Sequence, residues 1–297
     1  MKTLYTTVFA LLFITTGAIA QQQVDIFSIS YTYNPKVGLM EPPGPDLDAA
    51  DLDVSEFDVK LFLPLQLKNG STTIINSLEW SFINTFFNQL PADYSFEADL
   101  HAIQYTLGLN QQFNEKWGMT LLAKPTLASN FKDGVSGDDF FMQGSAVLHR
   151  KINERLRIGA GAAYTNGFGE PKLVPLLNLR YRTEKLDLNA TLPVKIRATY
   201  TAGRLMLGLN AGLEGNQYNL QLGERDLPAI EKVDAVKFSR YNIGPVLGYT
   251  IPGAGRLEVS AGLSLKRTFK VVDASNEEIN FDLDNGLFVK TGFYFGK

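Results

Sequence analysis

Apolar and polar residues alternate with a period of two along most of the chain, most plainly from Arg256 to Lys270 and from Gly286 to Gly296. The first stretch sets Leu257, Val259, Ala261, Leu263 and Leu265 on one face against Glu258, Ser260, Gly262, Ser264 and Lys266 on the other. The second sets Leu287, Val289, Thr291, Phe293 and Phe295 against Lys290 and Gly292. Such a period predicts β-strands whose two faces meet different media. A strand of this kind at the end of a chain needs a partner, and a closed barrel leaves no edge without one.

The same pattern recurs upstream. A first strand is predicted over about Val24 to Tyr33, followed by a Pro-rich acidic loop from Asn34 to Asp53. Val54 to Leu67 turns at Asn69-Gly70, a strong hairpin signal, into a strand bearing Ile74, Leu78, Trp80 and Phe82. A longer connection from about Asn84 to Asp99 follows. Short turns at Asn114-Glu115-Lys116, Asn153-Glu154, Thr183-Glu184-Lys185, Ala202-Gly203-Arg204 and Pro252 to Gly255 then alternate with polar or charged loops, the last of them Gln221 to Asp234.

Leu186 to Tyr200 has apolar or aromatic residues at every even position and reads as one strand interrupted by Pro193. Short turns flank it on both sides, and in bacterial outer-membrane barrels short turns lie on the periplasmic side. Two strands must then lie between them. A tight outer turn at Leu192-Pro193-Val194 supplies the break, because proline interrupts a ladder. The expectation is an all-β antiparallel transmembrane barrel of about 14 strands, with 12 as the alternative.

Composition narrows the class. Residues 1–20 read as an export signal, with Lys2, the apolar run Val8 to Ile14 and the site Ala18-Ile19-Ala20, leaving residues 21–297 as the barrel domain. Loss of Lys2 moves the net charge from −3 to about −4, which argues against nucleic acid as a partner. The chain has no Cys, so disulfides and thiolate metal sites are excluded. No later window resembles a membrane helix of about 20 apolar residues, a test that barrels escape because their lipid-facing residues occupy every second position.

A soluble β-sandwich also alternates, but this many apolar rows exceed what one sandwich core covers, whereas a lipid belt accepts them all. Tyr33, Trp80, Trp117, Tyr164, Tyr181, Tyr200 and Tyr249 near strand ends suit interfacial girdles. The export signal, strands of about ten residues, tight inner turns, longer outer loops and the aromatic last strand Gly292-Phe293-Tyr294-Phe295 resemble an outer-membrane β-barrel protein of a Gram-negative bacterium, of the type known only as domains of unknown function. The resemblance implies location in the cell outer membrane, contact with its lipid, a monomer, and assembly by machinery that reads a terminal aromatic, here displaced by Gly296 and Lys297.

If the apolar rows face lipid, Asp58, Lys60, Glu79, Lys124, Arg157, Arg180, Arg182, Lys195, Arg197, Glu214, Glu258, Lys266 and Lys290 face the lumen. Mixed signs allow either a water-filled path or a network of paired charges that closes it. Two His are present. His101 shares a face with Asp99 and with Ile103 and Tyr105, so an acid/base pair there would sit at the outer rim; His149 has no Ser or acidic residue at useful spacing. The reading is therefore a non-enzymatic barrel without cofactor or metal. Its first expected role is a passive pore or transport barrel for small polar solutes. The alternative is a structural or adhesive barrel with a side-chain-plugged lumen and interacting outer loops, and a rim enzyme using His101 comes third. Only three residues separate the cleavage site from the first strand, so no N-terminal plug for energised uptake is expected.

Overall fold

The computed structural model describes residues 25–40, 50–89, 97–132, 134–220, 233–273, 275 and 277–296. The expected export signal and most of the loops at 41–49 and 221–232 lie outside these residues. The strands are β1 Asp25–Gly38, β2 Asp51–Gln66, β3 Thr72–Asn88, β4 Glu97–Gln112, β5 Trp117–Ser129, β6 Phe140–Lys151, β7 Leu156–Thr165 and β8 Lys172–Arg182. They continue with β9 Leu186–Leu192, β10 Lys195–Ala202, β11 Leu205–Asn219, β12 Val233–Ile251, β13 Gly255–Asp273, β14 Glu278–Leu283 and β15 Gly286–Gly296.

Sequential neighbours pair antiparallel from β1 to β13. The ring closes where β15 pairs on one side with β13 and on the other with β1, Tyr31 standing opposite Thr291. β14 and β15 both pair with β13, at Arg267–Val272 and Arg256–Ser264 respectively, and form one interrupted stave. The fold is thus a closed antiparallel 14-strand barrel. The ambiguous stretch does split: Pro193 and Val194 make the turn between β9 and β10, with Val194 N–H donating to the Thr191 carbonyl at 2.8 Å. Twelve strands are excluded.

Two connections differ from expectation. The acidic loop is shorter than Asn34 to Asp53, because β1 runs on to Gly38 past Pro35 through a register shift between Asn34 and Val37, and β2 begins at Asp51. Such a shift lets the ladder continue around a residue with no N–H. Likewise β3 extends to Asn88 and β4 starts at Glu97.

Strand lengths divide the wall into two zones. β9 and β10 have 7 and 8 residues, whereas β12 and β13 have 19 each. At a tilt near 40° these rise about 18 Å and about 48 Å. Around the end where β1 begins and β15 finishes, here the near end, the outward rows form an exposed apolar belt that includes Leu207, Leu247, Leu263 and Leu287. A belt of this extent suits hydrocarbon and not water. Beyond it, towards the far end, β1–β5 and β11–β14 continue as a dome.

In the dome the pattern inverts. On β2 the outward Phe57, Val59 and Leu61 give way to outward Asp51, Asp53 and Ser55, while Leu52 and Val54 turn inward and are buried. On β4, Ala98, Leu100 and Ala102 are buried against outward Glu97 and Asp99. On β13 a bulge at Lys266, with φ 49°, shifts parity by one. Phe269 and Val271 then point inward although they continue the odd-numbered series of the lipid-facing Leu257 to Leu265. The dome therefore encloses an apolar core that also takes Ile83, Phe87, Tyr218, Val236, Phe238 and Phe281. Polar side chains cover the outside of this part of the wall and apolar ones fill it, as in a soluble protein.

Candidate functional site in the barrel lumen

Below the dome the inward face is polar and ionic. It lines a cavity of about 360 Å³ that runs from Asp25, Arg256 and Tyr294 at the near end up to Val194, Lys195, Glu214 and Asn242. Alternation places these groups: outward Leu287, Val289, Thr291, Phe293 and Phe295 of β15 leave Phe288, Lys290, Gly292 and Tyr294 inside.

Most of the charges are paired. Lys60 Nζ donates to Glu79 Oε2 at 3.0 Å from the facing strand. Arg197 and Arg256 both donate to Glu258 Oε1 at 2.7 Å, and Arg256 also reaches Asp25 at 2.9 Å. Arg240 donates to Glu56 and, at 3.0 Å, to Glu214, which also accepts from Asn242 at 2.8 Å. Lys290 lies 3.9 Å from Asp58 and 3.8 Å from Glu214, and Ser30 and Ser81 donate to Asp58. Such charge-assisted bonds offset the cost of withdrawing ions from bulk water.

The residues expected to face the lumen fall into three groups. Asp58, Lys60, Glu79, Arg197, Glu214, Glu258 and Lys290 belong to this network. Arg157 and Arg180 stand directly opposite each other on β7 and β8, and Asp187 reaches Arg182 at 3.1 Å and Arg180 at 3.9 Å; among the described residues Lys124, Arg157 and Lys195 form no ion pair. Lys266 is the correction: it sits exposed at the bulge, and Arg267 takes the inward place. Sequence reading missed Arg240, Arg256 and Arg267. Arg240 shares the inward parity of Asn242 and Gly248 and was within reach of the same argument, whereas Arg267 was hidden by the bulge.

The far end of the lumen is filled. Phe87 of β3 meets Phe269 of β13 and Phe281 of β14, with ring centroids 5.5 and 5.8 Å apart, so staves four places apart around the wall touch inside it. On the side of the short strands, Asn219 of β11 bridges Ser129 of β5 and donates to Asp139 Oδ1 at 2.8 Å. Burial alone would raise the Asp139 carboxyl, but the Ser136 N–H and the Asn219 amide hold it below the usual range. Glu56 and Arg240 mark the floor of this packing.

His101 lies on the outward face, among Trp80, Phe82 and Phe131 at centroid distances of 6.2, 5.0 and 6.2 Å. Asp99 accepts from Asn84 at 2.8 Å, and no hydrogen bond joins it to His101 among the described residues. His149 is buried against Gly118 near the near end.

A family model described as a domain of unknown function, DUF6268, matches residues 16–296. The chain belongs to the DUF6268 family. No curated protein matches the sequence. Solved structures similar to this DUF6268 chain include an outer membrane channel from Pseudomonas putida F1, at 9% identity and TM-score 0.47, covering 95% of this chain and 100% of that one. The NanC porin gives 9% identity and TM-score 0.38, covering 91% and 100%. The translocator domain of the autotransporter NalP from Neisseria meningitidis gives 14% and 0.38, covering 99% and 96%.

Proposed function

We propose that this chain is an outer-membrane barrel, exported by the signal at residues 1–20, whose lumen is closed on the outer side and open as a polar cup to the periplasm. The observation that carries the reading is the contact of Phe87 with Phe269 and Phe281 across the lumen, within a core contributed by β2–β5 and β11–β14. Short turns at the near end support its placement on the periplasmic side. The dome then stands outside the cell as a folded surface edged by Asp51, Asp53, Glu97 and Asp99.

This favours a structural or receptor barrel over a passive pore. Conduction requires a continuous column of water, and here such a column would have to displace an apolar core whose burial is worth about 25 cal/mol per Å². The polar cup alone is compatible with either role; the dome separates them. No catalytic role is proposed, since His101 is packed among aromatic rings and has no acidic hydrogen-bond partner among the described residues.

Liposome swelling tests the reading. Vesicles carrying the folded protein should swell no faster in isosmotic arabinose than empty vesicles, and swelling that scales with protein content would contradict it.

A further inference from the structure

The cavity wall carries four basic side chains, Lys195, Arg197, Arg256 and Lys290. Arg197, Arg256 and Lys290 each lie within 4 Å of a carboxylate. Lys195 has no such partner among the described residues. It opens β10 directly after the turn at 193–194, and alternation with the outward Ile196 aims it inward. Arg197, Lys290 and Glu214 line the same cavity. Lys195 is exposed to the cavity, so its ammonium is accessible to a counter-ion that enters there.

The surroundings leave room for that counter-charge. Gly212 faces Lys195 across the ladder, and a side chain there would meet nothing within 4 Å. Asn210 and Asn242 line the same cavity, each with an amide oxygen that has no hydrogen-bond partner among the described residues. Rotation of the Asn210 amide presents an N–H₂ donor instead; the Asn242 amide is held by its bond to Glu214. A cavity of about 360 Å³ equals roughly a dozen waters at 30 Å³ each, the size of a small polyanion or a sugar phosphate.

We propose that Lys195, supported by Arg197 and Lys290 and flanked by Asn210, Gly212 and Asn242, binds a small oxyanion, a phosphate or a carboxylate, that enters the cup from the periplasm. The entry side rests on the closed-lumen reading above; the site itself rests on the geometry of Lys195. Charged hydrogen bonds from the ammonium and a bidentate-capable guanidinium close by suit either oxyanion.

Titration calorimetry on the refolded mature protein in detergent, at low ionic strength, tests it with inorganic phosphate and citrate as probes. Heat-modifiable migration on a gel verifies folding of each variant. The expected result is saturable binding of one probe per chain, weakened about tenfold or more by Lys195→Gln and by Gly212→Met, which fills the space without changing charge. Lys195→Arg should keep most of the affinity, and Lys185→Gln at a near-end turn should leave it unchanged. Phosphate binding without citrate binding assigns a phosphate ligand, and the reverse a carboxylate. Absence of saturable binding for both probes, or equal affinity in Lys195→Gln and the unaltered chain, overturns the proposal. Conductance through a barrel that still binds the probe would overturn the closed lumen and leave this site standing.

Discussion

Phe87 and Phe269 pack edge to face, their ring centroids 5.5 Å apart and their planes at 74°, although β3 and β13 are four steps apart around the wall. Four steps at about 4.8 Å place the strands roughly 19 Å apart along the sheet. The rings meet because the wall folds in on itself above the lipid belt and shares one core there. From this contact follow the closed far end, the inverted pattern and the confinement of the polar cavity to the near end.

Phe269→Ala should cost the dome about 3–5 kcal/mol, as expected for a buried Phe, and leave the belt intact. Limited proteolysis of the protein in vesicles is expected to cut the dome strands much faster, while the remaining barrel keeps its heat-modifiable migration. Loss of the whole barrel fold would show that the dome and belt are one cooperative unit.

Arg240 is 3% exposed and holds both Glu56 and Glu214. Removing one member of a buried ion group strands the others, typically at 3–5 kcal/mol. Arg240→Ala should therefore lower the temperature of gel-shift unfolding clearly more than the combined Glu56→Gln, Glu214→Gln, Arg240→Met change, which removes all three charges together.

At the far end Glu278 accepts from Lys237 at 2.6 Å and from Lys270 at 3.0 Å. These hydrogen bonds, that of Lys237 first, hold its carboxyl below the usual range. A depressed carboxylate contributes stability that is complete above its unfolded value, about 4.3, and is lost as pH falls through the lower folded value. Protease resistance of the β12–β14 region should decline as pH drops below about 4. Glu278→Gln should remove that pH-dependent step.

Gly161 faces inward on β7, where an added Cβ would lie against the Ala146 carbonyl oxygen of β6. Backbone cannot give way as a flexible side chain can, so Gly161→Ala is expected to destabilise the wall by about 1–3 kcal/mol or more. The yield of heat-modifiable barrel in refolding measures it. Gly212→Ala, with open space around it, should refold like the unaltered chain.

Much of this architecture was legible in the alternation. The strand order, the turns, the split at Pro193 and the ring closure by the last strand all follow from a period of two with breaks at Gly, Pro and Asn. The dome was harder to see for a physical reason. Leu257 to Leu265 and then Phe269 and Val271 occupy one odd-numbered series, yet the bulge at Lys266 turns the later members from lipid to core. Periodicity reports that two faces differ; it does not report which medium each face meets. On β2 the inversion was visible, since Leu52 and Val54 change parity relative to Phe57 and Val59, but Pro-rich and acidic residues nearby made that end resemble a loop. Arg240 sits where the medium changes, which is why reading by rows alone passed over it.

Cysteine labelling along β13 follows from the same bulge. Leu263→Cys should react with a lipid-soluble maleimide, Lys270→Cys with a water-soluble one, and Val271→Cys, buried in the dome core, with neither until the protein is unfolded. Reaction of Val271→Cys from lipid would mean that the belt continues to the far end.

Single-channel recording in a planar bilayer tests the closed lumen most directly. Folded protein, verified by heat-modifiable migration, should give no conductance steps, and the combined Phe87→Ala, Phe269→Ala and Phe281→Ala change should produce them. Stable steps from the unaltered chain that change size when Lys60 or Lys195 is neutralised would contradict the account and establish an open polar pore.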